Sequence, residues 1–282
     1  MLPRVTGAKH RAALRVLALA LGLPPLVAAC GDDEAAAAAE AEPSEAAPDA
    51  TTRRAAVDWS ARLGQPTVPD LLAALAQPHA VVRQRVGPHV LTATTDFALA
   101  PVGEPATVHP PLDTPVVTAQ AVHDQLELRW AAPPEPTASL FALSQKNDHD
   151  RSRDVIVVGQ TVHVQKAHRP WYHYARDSDV TELWLDDAQR SVHDALELAA
   201  PRLSLRAAAL PGAGLEGGPA VEITLGLAEV ETPALRAAGP TQGWRASAEI
   251  QGVTGVVRLD AASGAWLSAT VDVAYGLRGA DG

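Results

Sequence analysis

The sequence predicts an α+β domain: a curved antiparallel β-sheet, shaped like a half-open barrel, with one or two helices packed on its concave face. Three observations predict this class. Apolar and polar residues alternate with a period of two in most segments. Short turn sequences join neighbouring segments of this kind. One long segment between them has helical periodicity, and strands followed by a helix and further strands are typical of α+β folds.

The first predicted element of the domain is a short helix over residues 68–77. Leu71 and Leu75 have helical spacing in this segment. Pro69 is suited to the first turn of a helix, and Pro78 ends it, because proline has no backbone N–H to continue the hydrogen-bond ladder.

About ten strands are predicted where the alternation is clear. They cover residues 89–99, 126–130, 139–146, 154–158, 161–164, 171–175, 221–227, 244–251, 256–260 and 266–273. Gly159 and Gln160 form a two-residue loop with glycine first, which predicts a type II′ hairpin. Residues 261–264 predict a longer hairpin loop.

One long helix interrupts the strands. Leu185, Val192 and Leu196 fall on one helical face, Asp179 lies near the start, and Pro201 stops the helix. A helix inside a bent sheet leaves either a packed core or an apolar hollow, and the sequence is compatible with both.

The first 29 residues predict a secretory leader. Four basic residues and no acid accompany an apolar run over residues 16–29. That run is interrupted by Gly22, Pro24 and Pro25, and it is shorter than the ~20 residues that span a bilayer. The segment therefore predicts export and no transmembrane anchor.

The chain's single cysteine follows this run, in the sequence LVAAC. The segment resembles the bacterial lipobox, in which the thiol is diacylated and the leader is removed before it. Cys30 is therefore the predicted lipid attachment site, since two acyl chains hold a protein stably on a membrane. The alternative is an ordinary leader followed by a chance cysteine. With no second cysteine the domain has no intramolecular disulfide.

The residue after the cysteine bears on the destination. In the sorting rule of Gram-negative lipoproteins, aspartate directly after the cysteine favours the inner membrane. Gly31 stands there, and Asp32 follows it. The expected location is thus the outer membrane, facing the periplasm, with the inner membrane or the cell surface as alternatives.

The sequence divides into residues 1–29 as leader, 30–52 as the lipidated cysteine with an acidic Ala/Pro-rich tether, and 53–282 as one β-rich periplasmic domain. After Cys30 the chain has 19 basic and 33 acidic residues, a net charge of −14. Such a charge disfavours nucleic acid and anionic head groups. The expected partners are the membrane, through the acyl chains, and a lipid or lipoprotein ligand; no oligomeric state is indicated.

The sequence contains no catalytic or nucleotide-binding motif in the secondary-structure context that its chemistry requires. Residues 212–217 match G-x-G-x-x-G, but Pro211 precedes them and a strand follows, which predicts a loop and no dinucleotide site. Glu182, Asp186 and Asp187 read as an exposed helical face. No nucleophile elbow occurs. The chain is therefore expected to be no enzyme and to need no cofactor.

Three histidines are spaced by five residues, at His163, His168 and His173. In a continuous strand this spacing places neighbours on opposite faces, although Pro170 breaks the regularity. No H-E-x-x-H or paired-cysteine pattern is present. These side chains are expected to be surface histidines, and no metal site is predicted.

The densest aromatic cluster is Trp171, Tyr172, His173 and Tyr174. A strand would place the first and third of these on one face and the two tyrosines on the other. One pair is a candidate lining for an apolar ligand site. The alternative is ordinary packing at the core and its rim.

The run RDVIVVGQTVHV over residues 153–164, the aromatic PWYHY and the following helix resemble lipoproteins of myxobacterial type. More distantly they resemble the LolA/LolB-like and LppX/LprG-like lipoprotein and lipid carriers, as does GVVRLDAASGAWLSATVDV over 255–273. Gly159 matches the glycine of that family's hairpin, Val158 replaces its acid and His163 its aromatic residue. The resemblance implies a half-barrel that holds a lipid or lipidated partner. The alternative is a structural or interaction lipoprotein without a ligand cavity.

Overall fold

The computed structural model describes residues 8–15, 58–99, 120–131, 140–149, 151–235 and 248–276. Antiparallel strands and a few helices make up these segments, and the sheet is curved without closing into a barrel. The predicted α+β class is confirmed.

Eleven strands are described. They are β1 (Ala8–Arg15), β2 (His89–Leu99), β3 (Gln120–Ala131), β4 (Leu140–Asn147), β5 (Arg153–Val158), β6 (Thr161–Lys166), β7 (Tyr172–Ala175), β8 (Leu203–Leu210), β9 (Ala220–Leu227), β10 (Glu249–Asp260) and β11 (Trp266–Gly276). The described α-helices are α1 (Trp59–Gly64), α2 (Val68–Leu75), α3 (His79–Val86) and α4 (Ser178–Ala199).

The strands form two antiparallel sheets, of six and four strands, which β1 joins. Strands β2 to β7 are an antiparallel meander of six, and β8 to β11 are an antiparallel group of four. Strand β1 pairs with β2 on one side and with β11 on the other. The order begins with β7 and ends with β8, so these two strands are the edges of the joined sheet.

Strand β1 lies within the segment that the sequence predicts as a leader. Its residues pair in register with residues 92–98 of β2 and with residues 269–275 of β11. Removing the leader would therefore remove the strand that joins the two sheets. The leader itself stays a prediction.

The alternation that predicted the strands is visible in their burial. In β5, Val155 and Val157 are buried, while Ile156 and Val158 are exposed. The β5–β6 hairpin pairs Val158 with Thr161 across a two-residue loop, and Gly159 there has a φ of 56°. This left-handed value is what a primed hairpin turn requires and what glycine adopts without steric cost.

Two strand predictions need correction. The described part of the predicted strand at 244–251 and the predicted strand at 256–260 belong to one long strand, β10 (Glu249–Asp260), whose register shifts between Ile250 and Gly252; residues 244–247 lie outside the described residues. Gly255 interrupts the apolar pattern there because a Cβ at that position would lie 2.1 Å from the carbonyl oxygen of Thr270. Strand β8 was not predicted, since three consecutive alanines in LSLRAAAL conceal its alternation.

The helices begin where side chains cap their free N–H groups. Thr67 and Asp70 form a capping box at the start of α2. The Asp177 carboxylate accepts hydrogen bonds from the backbone of Asp179 and Val180 at the start of α4, and a 3₁₀ turn containing Pro201 follows α4. Helices α2 and α4 were predicted. The short helices α1 and α3 are additional, because each buries only two side chains and shows little periodicity.

In the described part of the chain, the core is one cluster of apolar side chains between the helices and the sheet. From α4 it includes Leu185, Val192 and Leu196, all at most 1 % exposed. Leu63 and Leu71 of the preceding helices join it and are completely buried. The concave side of the sheet is thus covered by packed helices.

Candidate functional site

The predicted lipid attachment site, Cys30, lies outside the described residues, as does the predicted tether. The described chain resumes at Asp58, which caps α1. The assignment of Cys30 therefore stays a prediction from sequence.

The aromatic cluster lies at the edge of the six-stranded sheet, on and next to β7. Tyr172 and Tyr174 stack with ring centroids 6.1 Å apart and an interplanar angle of 23°. Trp171, Tyr172 and Tyr174 are 47 %, 43 % and 37 % exposed. The pKa of Tyr174 is raised, mainly because the side chain is partly buried and to a smaller extent by the nearby Tyr172 and Asp177. The rings line an open surface, not the wall of an enclosed pocket.

The turn that leads into β7 carries positive charge. Lys166, His168 and Arg169 are all exposed, and His168 adopts a left-handed φ of 57°. Gln165 fixes this turn, because its Nε2 donates to the carbonyl oxygen of Arg169 at 3.1 Å. We call these three residues together with Trp171, Tyr172 and Tyr174 the β7 edge.

The structure brings two of the three evenly spaced histidines together. His163 and His173 face each other across β6 and β7, with ring centroids 5.9 Å apart. They lie on the face of the strand opposite to Tyr172 and Tyr174, whereas His168 is in the turn.

A separate group on α4, His193, Asp194 and Glu197, places three potential ligand atoms within 4.8 Å of one another. These three are neighbours on one helical turn, and each is partly exposed.

A buried histidine pair lies between α3 and β2, and sequence reasoning missed it. His79 and His89 are 0 % and 8 % exposed, and their Nε2 atoms are 3.3 Å apart. His89 Nδ1 lies 2.7 Å from the carbonyl oxygen of Gly87, which can only accept, so this nitrogen carries the proton. His89 Nε2 then accepts a hydrogen bond from His79 Nε2–H. His79 Nδ1 is left buried without a partner.

This environment keeps both imidazoles neutral. Burial, then the nearby His89 and Arg83, lower the pKa of His79 to about 3. Burial also lowers the pKa of His89, although the hydrogen bond to Gly87 opposes the shift. An edge contact with the Trp130 ring, at a centroid distance of 5.2 Å, completes the enclosure of His79. A neutral, enclosed pair of this kind is a packing feature whose protonation would be costly.

Two acids of α4 hold α3 in place beside this pair. Asp186 Oδ1 accepts a hydrogen bond of 2.8 Å from the backbone N–H of His79, and Glu182 pairs with Arg83 at 2.8 Å. The Arg83 guanidinium also lies 4.9 Å from the centroid of the Trp130 ring. The prediction that Glu182 and Asp186 lie on a merely exposed face is wrong, because both are partly buried against a helix that was not predicted.

The glycine-rich loop at residues 212–217 is held by a carboxylate of the protein itself. Asp260 is 3 % exposed, and its Oδ1 accepts a hydrogen bond of 3.0 Å from the backbone N–H of Leu215. Its Oδ2 accepts from the backbone and hydroxyl of Ser263 at 2.8 and 2.6 Å. The backbone donor at Leu215 therefore has an internal partner, in agreement with the prediction of a loop.

Two hollows are informative about ligand capacity. A void under α4, lined by Val82, His89, Leu91, Gln189 and Trp266 among others, has a volume of about 20 Å³. That volume fits about one water molecule. A second hollow of about 390 Å³ lies open to solvent over β2, β3 and β4, and its lining includes Thr94, Glu127 and Lys146. Polar and apolar surface contribute about equally to its lining, whereas pockets that bury small ligands are mostly apolar.

Comparison with known proteins yields no relative: no family model, curated protein or solved structure matches this chain. Among the described residues, no helix combines the length and the apolar character needed to cross a bilayer. The interpretation of function therefore depends on the sequence and on the surfaces and cavities described above.

Proposed function

We propose that this protein is a bacterial envelope lipoprotein, anchored to the outer membrane through acyl chains on Cys30. Its folded domain contacts another envelope component and performs no catalysis. The observation that carries the proposal is the LVAAC sequence at the end of an apolar leader and directly before an acidic segment. The void of about 20 Å³ under α4 supports a role as an interaction surface over storage of an acyl chain at that place.

Acylation is tested by growing cells that express the full chain with labelled palmitate. We expect the label on the wild-type protein and none on Cys30→Ser, because serine supplies no thiol to acylate. The matched control is Ser44→Ala, a similarly small change in the adjacent acidic segment, which should be labelled like the wild type. An unlabelled wild-type protein, or equal labelling of Cys30→Ser, would overturn the proposal.

The destination is tested by Gly31→Asp. Under the lipoprotein sorting rule, this change moves the signal for inner-membrane retention next to the cysteine. We expect the protein to shift from the outer-membrane to the inner-membrane fraction on a density gradient, while Gly31→Ser stays in the outer-membrane fraction. A wild-type protein already in the inner-membrane fraction would contradict the proposed location.

A second candidate function is the binding of a lipid or lipidated partner in the half-barrel. The specific observation in its favour is that the sheet stays open and that its concave side is covered by amphipathic helices. Binding an acyl chain there would require α4 to move away from the core, because Leu185 and Leu196 fill that space. Native mass spectrometry of the protein purified from membranes distinguishes the candidates: a stoichiometric lipid beyond the anchor supports this one.

A further inference from the structure

We propose that the β7 edge docks the domain directly onto an anionic lipid bilayer. The proposal rests on the lipid anchor only for keeping the domain close to a membrane. It adds a second contact, at the opposite end of the tether, and it assigns the exposed aromatic cluster to the lipid head-group region.

The aromatic side chains of the β7 edge have the chemistry of an interfacial anchor. Tryptophan and tyrosine concentrate at membrane interfaces because each combines an apolar ring with a polar group that stays hydrated. Here Trp171, Tyr172 and Tyr174 are consecutive or alternate in sequence, and each is at least 37 % exposed. Among the described strands β7 is the last in the sheet order, so no described strand pairs with its outer side.

The charge of this edge is opposite to that of the rest of the domain. Residues 166–176 contain three basic residues, two histidines and no acid, in a chain whose net charge is −14 after Cys30. The nearest acid in sequence, Asp177, directs its carboxylate to the backbone N–H groups of Asp179 and Val180. Its charge is thus offset by the positive end of the α4 dipole. Basic residues next to a membrane surface are attracted to its anionic lipid head groups.

Backbone hydrogen bonds hold the basic turn and the aromatic strand of this edge in a fixed arrangement. The backbone N–H of Arg169 donates to the carbonyl oxygen of Lys166 at 3.0 Å, and that of Ala167 donates to Ser152 at 2.8 Å. Strand β7 pairs with β6 through four successive residues. The basic turn and the aromatic strand are therefore parts of one folded unit, so ordering them on a membrane costs little conformational entropy.

The anchor makes even a weak contact effective. Residues 31–57 separate Cys30 from the described domain, and a chain of 27 residues spans at most about 90 Å. A tethered domain samples the bilayer at a high effective concentration, so a contact too weak for a free protein is populated when the domain is anchored.

The test uses the acylated mature chain, which begins at Cys30, reconstituted into vesicles of phosphatidylethanolamine and phosphatidylglycerol. Acylation blocks the only native thiol, so an added cysteine is the single site for a maleimide dye. Tyr172→Cys places the dye on the β7 edge. Val230→Cys is the matched control, since Val230 is 77 % exposed and follows β9, near the other end of the sheet order.

We expect a water-soluble quencher to reach the dye at position 172 at least about threefold less efficiently than the dye at 230, because interfacial groups lie ~5–10 Å into the head-group boundary. The difference should shrink in purely zwitterionic phosphatidylcholine vesicles and in the charge-reversed pair Lys166→Glu and Arg169→Glu. Equal quenching at 172 and 230 overturns the proposal. Protection of 172 that appears in native envelopes but not in lipid vesicles also overturns it, in favour of a protein partner.

The same experiment shows separately whether Cys30 is acylated. If Cys30 were not acylated, the wild-type chain would itself react with the maleimide dye and would not be retained by the vesicles. The docking result is read only from chains that pass this control, so the two proposals fail in distinguishable ways.

Discussion

Gly264→Ala is expected to lower the free energy of unfolding by about 3 kcal/mol. Gly264 lies in the β10–β11 turn with a φ of 68°, a left-handed conformation that alanine adopts at a cost of ~1 kcal/mol. The added Cβ would also lie 2.5 Å from Cδ2 of the Trp59 ring. Trp59 is only 4 % exposed, so its ring cannot yield without loosening α1. Urea denaturation of the full chain measures the effect.

The matched control is Gly212→Ala. Gly212 has a similar φ of 72°, but nothing lies within 4 Å of the position that a Cβ would occupy. This variant should therefore lose only the backbone contribution of about 1 kcal/mol. Trp59→Ala combined with Gly264→Ala should lose less than the sum of the two single changes, since the clash is then absent. Equal losses for Gly264→Ala and Gly212→Ala would show that Trp59 does not restrict this turn.

Acidification from pH 7.5 to pH 5 is expected to cost the protein about 2 kcal/mol through His79 alone. The pKa of this buried imidazole is lowered to about 3 in the folded chain, whereas an unfolded histidine has a pKa of ~6.5. Between these values the unfolded chain binds a proton that the folded chain does not. The contribution of neutral His79 is thus complete above pH 6.5 and is lost as the pH falls toward 3.

His79→Gln isolates this contribution, because glutamine retains a hydrogen-bond donor toward His89 and does not titrate. Its unfolding free energy should change less between pH 7.5 and pH 5 than that of the wild type, by about 2 kcal/mol. The variant His149→Gln serves as a control, since His149 is exposed. Groups facing the pair from neighbouring elements, Arg83, Glu182 and Asp186, are kept in every variant. Identical pH dependence of His79→Gln and the wild type would contradict the expected neutral state.

Much of the fold was predictable because strand alternation is a local property. Strand β5, its hairpin to β6 and helix α4 follow from residues that are neighbours in sequence, and the structure has all three. Strand β8 was missed because alanine satisfies both faces of a strand and so conceals the period. Helix α3 was missed because it is stabilised from outside, by Asp186 at its first residue and Glu182 at Arg83.

In the candidate site too, features formed by neighbours in sequence were predictable and contacts between distant residues were not. The aromatic cluster was found because its residues are consecutive, and its position on an edge strand follows from the sheet order, which sequence alone did not determine. His79 and His89 are ten residues apart on different elements, and no local pattern relates them. The role of Asp260 likewise depends on a loop 45 residues earlier in the chain. Interactions of this kind become visible only when the chain is folded.

The pairing of β1 with both halves of the sheet affects the order in which the chain can fold and be exported. Residues 8–15 hydrogen-bond to a strand on each side. Under the proposed maturation they belong to the signal peptide that the export machinery must bind. A polypeptide that completed this sheet in the cytoplasm would bury its signal segment between two strands and would not be exported. If the leader is removed as proposed, translocation must precede closure of this sheet, and the mature chain lacks the strand that pairs with both β2 and β11.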